Sequence, residues 1–263
     1  MQNVKGFQLL QKIGEGATSI VFKAVQTSMG RNVAVKILRP ELAKNFEIQQ
    51  RFVSEAKAVA KLSHRNIIKG INVGRTANNL IYFVMEYVDG DTGLQLIRKN
   101  KKLPEKQVIS ITKQMALALE HAHKHKMLHK DIKPENIMVT KTGCAKLCDL
   151  GLAAAQLDGS KITGTPYYIS PEQARGEADI DIRSDIYSLG ITAYHFATGK
   201  VPFGGTPTVV MSKHLTQKVR HPKDLVPELS DSLCNIIMKM VKKDPDGRYQ
   251  NPTQLAAALT KLR

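Results

Sequence analysis

The chain has 263 residues, 42% apolar and 24% charged, with 18 Gly and 11 Pro; this globular composition excludes disordered and collagen-like classes and allows one large domain or two lobes. Thirty-nine Lys and Arg against 23 Asp and Glu leave a formal charge of +16, a field that favours acidic partners, while the lack of zinc-finger spacing, basic heptads and aromatic-rich strand motifs argues against specific nucleic-acid binding. No apolar run approaches the roughly 18 residues of a membrane helix, the first residues do not have the pattern of a secretory signal, and an odd count of three Cys does not suit a disulfide framework, so a cytoplasmic location without a membrane span is expected.

From Phe7 to about Val88 the apolar residues recur mostly with period two, in FQLLQKI, SIVFKAV, RNVAVKIL, INVGRT and LIYFVMEYV, which predicts five strands. One helix is predicted among them, over roughly Glu47 to Leu62, where Phe52, Val59 and Leu62 share a face with Glu55. After Asp89-Gly90 the period lengthens. Pro104 to His125 predicts a helix with Val108, Ile111, Met115, Leu119 and Ala122 on one face and a cationic end. NIMVT and AKLCD predict short strands, followed by an irregular stretch to about Ile180. Helices are then predicted over Asp185 to Thr198, stopped by Gly199, and over Thr208 to Thr216, Ser230 to Val241 and Thr253 to Leu262. Cys144 and Cys148 would stand about 13 Å apart on a strand, against less than about 7 Å for a disulfide, so all three Cys are expected as core or near-core thiols.

Ile13-Gly14-Glu15-Gly16-Ala17-Thr18-Ser19-Ile20-Val21 falls between two strands, where its glycines can offer backbone N–H groups to a triphosphate. A hairpin turn needs glycine as well. Beyond it, Val33-Ala34-Val35-Lys36-Ile37 puts Ala34 and Lys36 on one strand face. Lys36 could reach phosphates if a carboxylate held it, and Glu55, on the apolar stripe of the predicted helix, is the best candidate. Then comes His129-Lys130-Asp131-Ile132-Lys133-Pro134-Glu135-Asn136, followed thirteen positions after Asn136 by Asp149-Leu150-Gly151. Three polar side chains in fixed order and an Asp before a glycine suit one base and two metal ligands. Ser170-Pro171-Glu172 and Asp185-Ile186-Tyr187-Ser188-Leu189-Gly190 complete the set.

In that order, from about Phe7 to the end of the chain, these motifs resemble the protein kinases. MEYVDG (85–90), HKDIKPENIMV and GTPYYISPEQARG look most like the Hanks-type, eukaryotic-like serine/threonine kinases of bacteria. The resemblance implies an α+β, bilobal kinase fold over residues 1–263. Its N-lobe (about 1–86) would hold a five-stranded antiparallel sheet with one main helix, followed by a hinge at about 86–90 and a mainly helical C-lobe (about 91–263). It implies transfer of the ATP γ-phosphoryl group, with Mg²⁺ or alternatively Mn²⁺, to Ser or Thr hydroxyls of protein substrates, acidic ones among them and the kinase itself included.

Carried over residue by residue, Asp131 would be the catalytic base and Lys133 would steady the transferring phosphoryl. Asn136 and Asp149 would hold the metal. Lys36, fixed by Glu55, would grip the α and β phosphates beneath Gly14, Glu15 and Gly16. Ile13, Val21 and Ala34 would enclose the adenine, with the backbone of Glu86 and Val88 at its edge and Met85 as gatekeeper. Lys133 and Gly164-Thr165-Pro166 resemble the serine/threonine class, with Thr165 bonded to Asp131 and Lys133. Glu172 would pair with Arg248 in a buried tie, Asp185 would brace the catalytic-loop backbone, and His129 would support it from the core.

Three positions depart from the family pattern. Ser19 replaces the third glycine, and Leu150 takes the slot of the usual Phe. Lys130 stands where Arg is usual, offering a point charge in place of a planar fork to a phosphorylated activation segment. If that segment is phosphorylated, Ser160 and Thr163 are the candidates. His121 and His125 are one helical turn apart, a spacing that can bind metal, although no third ligand is evident. The alternatives to an active kinase are a pseudokinase and a basic docking scaffold. Relatives continue into membrane-anchored regions and some dimerise, so a longer protein and a homodimer are compatible with the resemblance.

Overall fold

The computed structural model describes residues 4–150 and 166–262. The chain divides into two compact units, Met1–Val88 and Asp89–Arg263.

The first unit is an antiparallel sheet of β1 (Phe7–Glu15), β2 (Ser19–Gln26), β3 (Arg31–Leu38), β4 (Gly70–Arg75) and β5 (Ile81–Glu86), in the order β1-β2-β3-β5-β4. The five predicted strands are thus present. β3 and β5 do not alternate in burial, however: Val33 to Leu38 and Ile81 to Met85 are buried without interruption. The reason is position, because strands covered on both faces lose the in-out pattern. One face sends Val33, Val35, Ile37, Tyr82 and Val84 into a core with Ala24 and Leu80, each large side chain contributing roughly 1.5–3 kcal/mol on full burial. Helix α1 (Phe46–Ala60) packs on β4 and β5. It begins one residue before the predicted Glu47 and ends two before Leu62, and Asn45 caps it by accepting from Ile48 N–H.

The second unit opens with β6 (Gly90–Thr92) and α2 (Gly93–Asn100), both absent from the sequence reading. The short β6 pairs with β7 (Ile137–Thr140), which pairs with β8 (Ala145–Leu147). A three-residue strand set by a distant partner leaves no periodic signal. α2 starts where Thr92 and Gln95 form a reciprocal capping box. A Cβ on Gly93 would lie 2.7 Å from Phe196 and 2.9 Å from the Pro134 carbonyl, so glycine lets α2 approach the turn at Pro134–Asn136.

α3 (Glu105–Lys124) follows Pro104, as predicted. Then come α4 (Pro171–Arg175), α5 (Ile182–Thr198), α6 (Pro207–Thr216), α7 (Asp231–Met240) and α8 (Pro252–Thr260). α4 lies inside the stretch read as irregular. α5 begins three residues before Asp185, because the Asp181 carboxylate accepts from Arg183 N–H and sets the cap there. It is buried on nearly every side, with α3 and α7 packed against it. Cys234 is buried, and Cys144 and Cys148 are half-buried free thiols.

Candidate functional site

In the first unit the register brings the predicted nucleotide residues together. Val21 lies directly opposite Lys36 and Ala34 opposite Met85, and cross-strand partners share a face. The same face therefore presents Val21, Ala34, Lys36 and Met85. Lys36 is buried, with 5% of its surface exposed, while Glu55 is half-buried in the middle of α1. Glu86 is engaged with Lys69 twice: its N–H donates to the Lys69 carbonyl (2.9 Å) and its carboxylate accepts from Lys69 N–H (2.7 Å). Val88 is buried at the end of the unit.

Gly14 pairs with Val21 beside a register shift in β1, and Gly16 N–H donates to the Ser19 carbonyl (2.8 Å) to close the turn. Arg39, which the sequence reading missed, clamps this loop. Its Nε donates to the Gly16 carbonyl (2.9 Å) and its guanidinium meets Glu15 at 2.5 Å. Glu15 also bonds Lys12, and the two cations hold its carboxyl below the usual range, Lys12 first. Its side chain thus serves the loop's own geometry. Ile13 is exposed. Nothing in the strand pattern points to Arg39, because it stands one residue beyond β3.

In the second unit the predicted catalytic-loop residues converge. Lys133 Nζ donates to Asp131 Oδ2 at 2.7 Å. Asn136 Nδ2 donates to the Asp131 carbonyl (2.8 Å) and to Asp131 Oδ2 (3.1 Å). Asp131 N–H donates to Nδ1 of His129 (3.2 Å), which requires the other ring nitrogen to carry the proton that Cys148 O accepts at 2.8 Å. His129 is fully buried. Cys148 N–H in turn donates to the Asn136 carbonyl (2.8 Å), so Asn136 and Asp149 are tied through adjoining backbone. Asp149 has φ +56° and Lys130 φ +63°, the left-handed region that a non-glycine residue enters at a cost.

Asp185, 1% exposed, accepts from His129 N–H (2.8 Å) and Lys130 N–H (2.7 Å). Burial pushes its carboxyl pKa up, and the His129 and Lys130 donors pull against that shift. Glu172 and Arg248 form a buried bidentate pair at 2.7 and 3.0 Å. Arg248 also donates to the carbonyls of Lys242, Lys243 and Arg183. Beside it, Gln173 caps α4 and reaches the Lys130 carbonyl (2.8 Å). The S-x-x-Q spacing from Ser170 signals the cap in the sequence but not this second bond.

A buried and a half-buried histidine hold the segment before α4: His214 Nε2 bonds the Tyr167 carbonyl (3.1 Å) and His195 Nδ1 bonds the Tyr168 hydroxyl (2.8 Å). Thr165, Ser160 and Thr163 lie outside the described residues. His121 and His125 stack with ring centroids 4.6 Å apart, and no group of three or more His, Cys, Asp or Glu that could hold a metal occurs among the described residues.

An Asp131 carboxylate fixed by a cation and an amide, with hard oxygen donors from Asn136 and Asp149 nearby in the chain, can orient a hydroxyl beside a phosphate-bound Mg²⁺. Known proteins resemble the chain over nearly its whole length. The family model described as "Protein kinase domain" matches residues 7–259. The probable serine/threonine-protein kinase CPE1738 of Clostridium perfringens is 43% identical over 264 residues, covering 98% of this chain and 38% of the relative. PrkC of Bacillus subtilis is 38% identical over 258 residues, covering 95% and 39%. The crystal structure of the Mycobacterium tuberculosis PknI kinase domain superimposes with a TM-score of 0.78 at 27% identity, covering 98% of this chain and 97% of that one. The chain thus spans about two fifths of the length of the curated relatives it matches.

Proposed function

This chain belongs to the protein kinase domain family and is a serine/threonine kinase domain of the bacterial type; we propose that it moves the ATP γ-phosphoryl group to Ser and Thr hydroxyls of proteins, itself included, with Asp131 as the base. The observation that carries the assignment is the anchoring of Asp131. Its carboxylate is held by Lys133 and Asn136, and its backbone by His129 and Asn136.

The side chains supply positioning and charge. Asp131 orients the acceptor hydroxyl and takes its proton as the new O–P bond forms and the bond from the γ-phosphorus to the ADP oxygen breaks. Lys133 lies close enough to Asp131 to neutralise charge on the transferring group. Lys36, buried on the face shared by Val21, Ala34 and Met85, grips the α and β phosphates, with Glu55 as its partner. The glycine loop of Gly14, Glu15 and Gly16, held in shape by Arg39, covers the phosphates; Gly16 N–H is given to the Ser19 carbonyl and serves the turn. Val21, Ala34 and Ile13 contact the adenine, Met85 limits the depth of its site, and the backbone of Glu86 and Val88 reads its edge.

The donor set suits a divalent metal, because Asn136 turns its Nδ2 to Asp131, which directs Oδ1 elsewhere, and Asp149 supplies a carboxylate. Both are the hard oxygen ligands that Mg²⁺ takes together with substrate phosphates. Bound there, Mg²⁺ would neutralise charge on the phosphates; Mn²⁺ has the same ligand preference. Acceptors with acidic surroundings suit a chain of charge +16. Among the described residues no helix is long and apolar enough to cross a membrane.

Intact-mass analysis of phosphatase-treated protein with ATP, Mg²⁺ and a generic acceptor protein tests the reading, with Asp131→Asn in parallel. Added mass with the native chain and none with the variant is the expected result. No transfer by either, with ATP still bound, would make this a pseudokinase. Equal transfer by both would remove Asp131 from the role of base.

A further inference from the structure

The backbone N–H groups of residues 129–131 are each accounted for. His129 and Lys130 N–H go to Asp185, Asp131 N–H goes to His129 Nδ1, and the Asp131 carbonyl accepts from Asn136. The carbonyl of Lys130, just before the base, takes its donor from α4. Gln173 Nε2 reaches it at 2.8 Å, and Gln173 Oε1 accepts from Ser170 N–H at 3.2 Å. The amide orientation follows from its neighbours: a flipped Gln173 would set NH₂ against an N–H and a carbonyl oxygen against a carbonyl oxygen.

Gln173 is 7% exposed, so its bonds are shielded from competing water and their loss leaves a partly buried carbonyl unmatched. The Lys130 peptide has particular need of that bond. With φ +63° on a side chain larger than glycine, this residue is strained and persists only where surrounding contacts over-determine it. Asp185 fixes the N–H side of Lys130. Without a partner on the carbonyl side, only the longer Asp131 N–H bond to His129 Nδ1 (3.2 Å) resists rotation of the peptide joining Lys130 to Asp131 toward an unstrained conformation, and that rotation swings the Asp131 carboxylate.

We infer that Gln173 is a positioning residue for phosphoryl transfer: its side-chain amide bridges the start of α4 to the peptide immediately before the base and fixes the direction of the Asp131 carboxylate. The alignment of the base is thereby coupled to the seating of α4, which the Glu172–Arg248 pair secures one residue away. This rests on the reading of Asp131 as the base.

Crossed variants separate this role from helix capping. Gln173→Glu keeps an acceptor for Ser170 N–H but places a carboxylate oxygen against the Lys130 carbonyl. Gln173→Met removes both bonds without adding charge. Ser170→Ala removes the hydroxyl that accepts from Gln173 N–H (3.2 Å) but leaves the amide donor to Lys130.

Both Gln173 variants should lower kcat by roughly ten- to a hundredfold, the scale on which small misplacement of a reacting group slows a reaction, with KM for ATP within about twofold. Ser170→Ala should keep kcat within about twofold. Hydrogen exchange across residues 129–136 should quicken in the Gln173 variants and not in Ser170→Ala, a readout that needs no turnover. Unchanged kcat in both Gln173 variants, or equal losses in all three, would overturn the inference. A native chain that transfers no phosphate would count against the assignment of Asp131 instead, and the exchange experiment would still decide whether Gln173 holds the loop.

Discussion

Lys36 is a cation with 5% of its surface exposed in the middle of a sheet, and burying a charge is costly unless something answers it. Its neighbours across the strands are Val21 and Phe83, so a residue of similar length without the charge can fill its place. Lys36→Met should therefore fold, with a cooperative unfolding transition close to that of the native chain, while phosphoryl transfer falls by roughly a hundredfold or more as the phosphate clamp is lost. Near-native turnover in a folded variant would remove Lys36 from the site. At this scale the sequence was most legible where a motif sets residues in a fixed order: it named Asp131, Lys133 and Asn136, which the fold brings into hydrogen-bond contact, and put forward Lys36 and Asp149 as candidates in the same way. It was least informative for residues whose role depends on a three-dimensional neighbour. Arg39 on the glycine loop and Gln173 on the Lys130 carbonyl are ordinary surface-type residues in the sequence, and only the folded chain brings Arg39 to Gly16 and Gln173 to Lys130 across 43 positions.

At the scale of elements, long periodic segments were legible and short ones were not. α1, α3 and α5 carry enough turns for a stripe of apolar residues to repeat, whereas β6 and α4 are three and five residues long and owe their existence to partners elsewhere. α4 shows what such a partner does. Its Glu172 meets the fully buried guanidinium of Arg248 in a fork-to-fork pair, and the remaining Arg248 donors satisfy three carbonyls around residues 183 and 242–243. Lys has neither the planar fork nor enough donors to repeat this pattern. Arg248→Lys should cost about 3 kcal/mol, the lower end for breaking a buried pair, and lower the melting temperature by several degrees in a domain of this size. Calorimetry or urea unfolding measures it. A loss below about 1 kcal/mol would mean that α4 is held mainly by its Ser170 cap and by packing on α6.

Across the whole molecule a charge of +16 makes further protonation unwelcome, and two histidines, His214 and the half-buried His195, add a specific sensitivity to acid. His214 is completely buried. Lys243 donates to the Tyr187 hydroxyl (3.2 Å), Tyr187 then donates to His214 Nδ1 (3.0 Å), and His214 donates from Nε2 to the Tyr167 carbonyl. That chain of donors needs a neutral imidazole, since a second ring proton would face the tyrosine hydroxyl. Burial, reinforced by Lys243, lowers the His214 pKa from 6.5 to about 4, and burial does the same at His195. The unfolded chain therefore takes up protons at a higher pH than the folded one, so stability rises with pH across this range. The contribution is fully present above about 6.5, declines as pH falls, and is exhausted near 4. At roughly 1.4 kcal/mol per pH unit, the decline for His214 is on the order of 3 kcal/mol. Unfolding measured from pH 7.5 to 4 should show this slope in the native chain. His214→Gln, which can still donate to Tyr167 but cannot titrate, should start less stable at pH 7.5 and fall less steeply between 6.5 and 4. An unchanged slope would place the acid-sensitive groups elsewhere; a flattened one would make the Lys243–Tyr187–His214 chain, which anchors the segment before α4, a principal source of acid instability in the molecule.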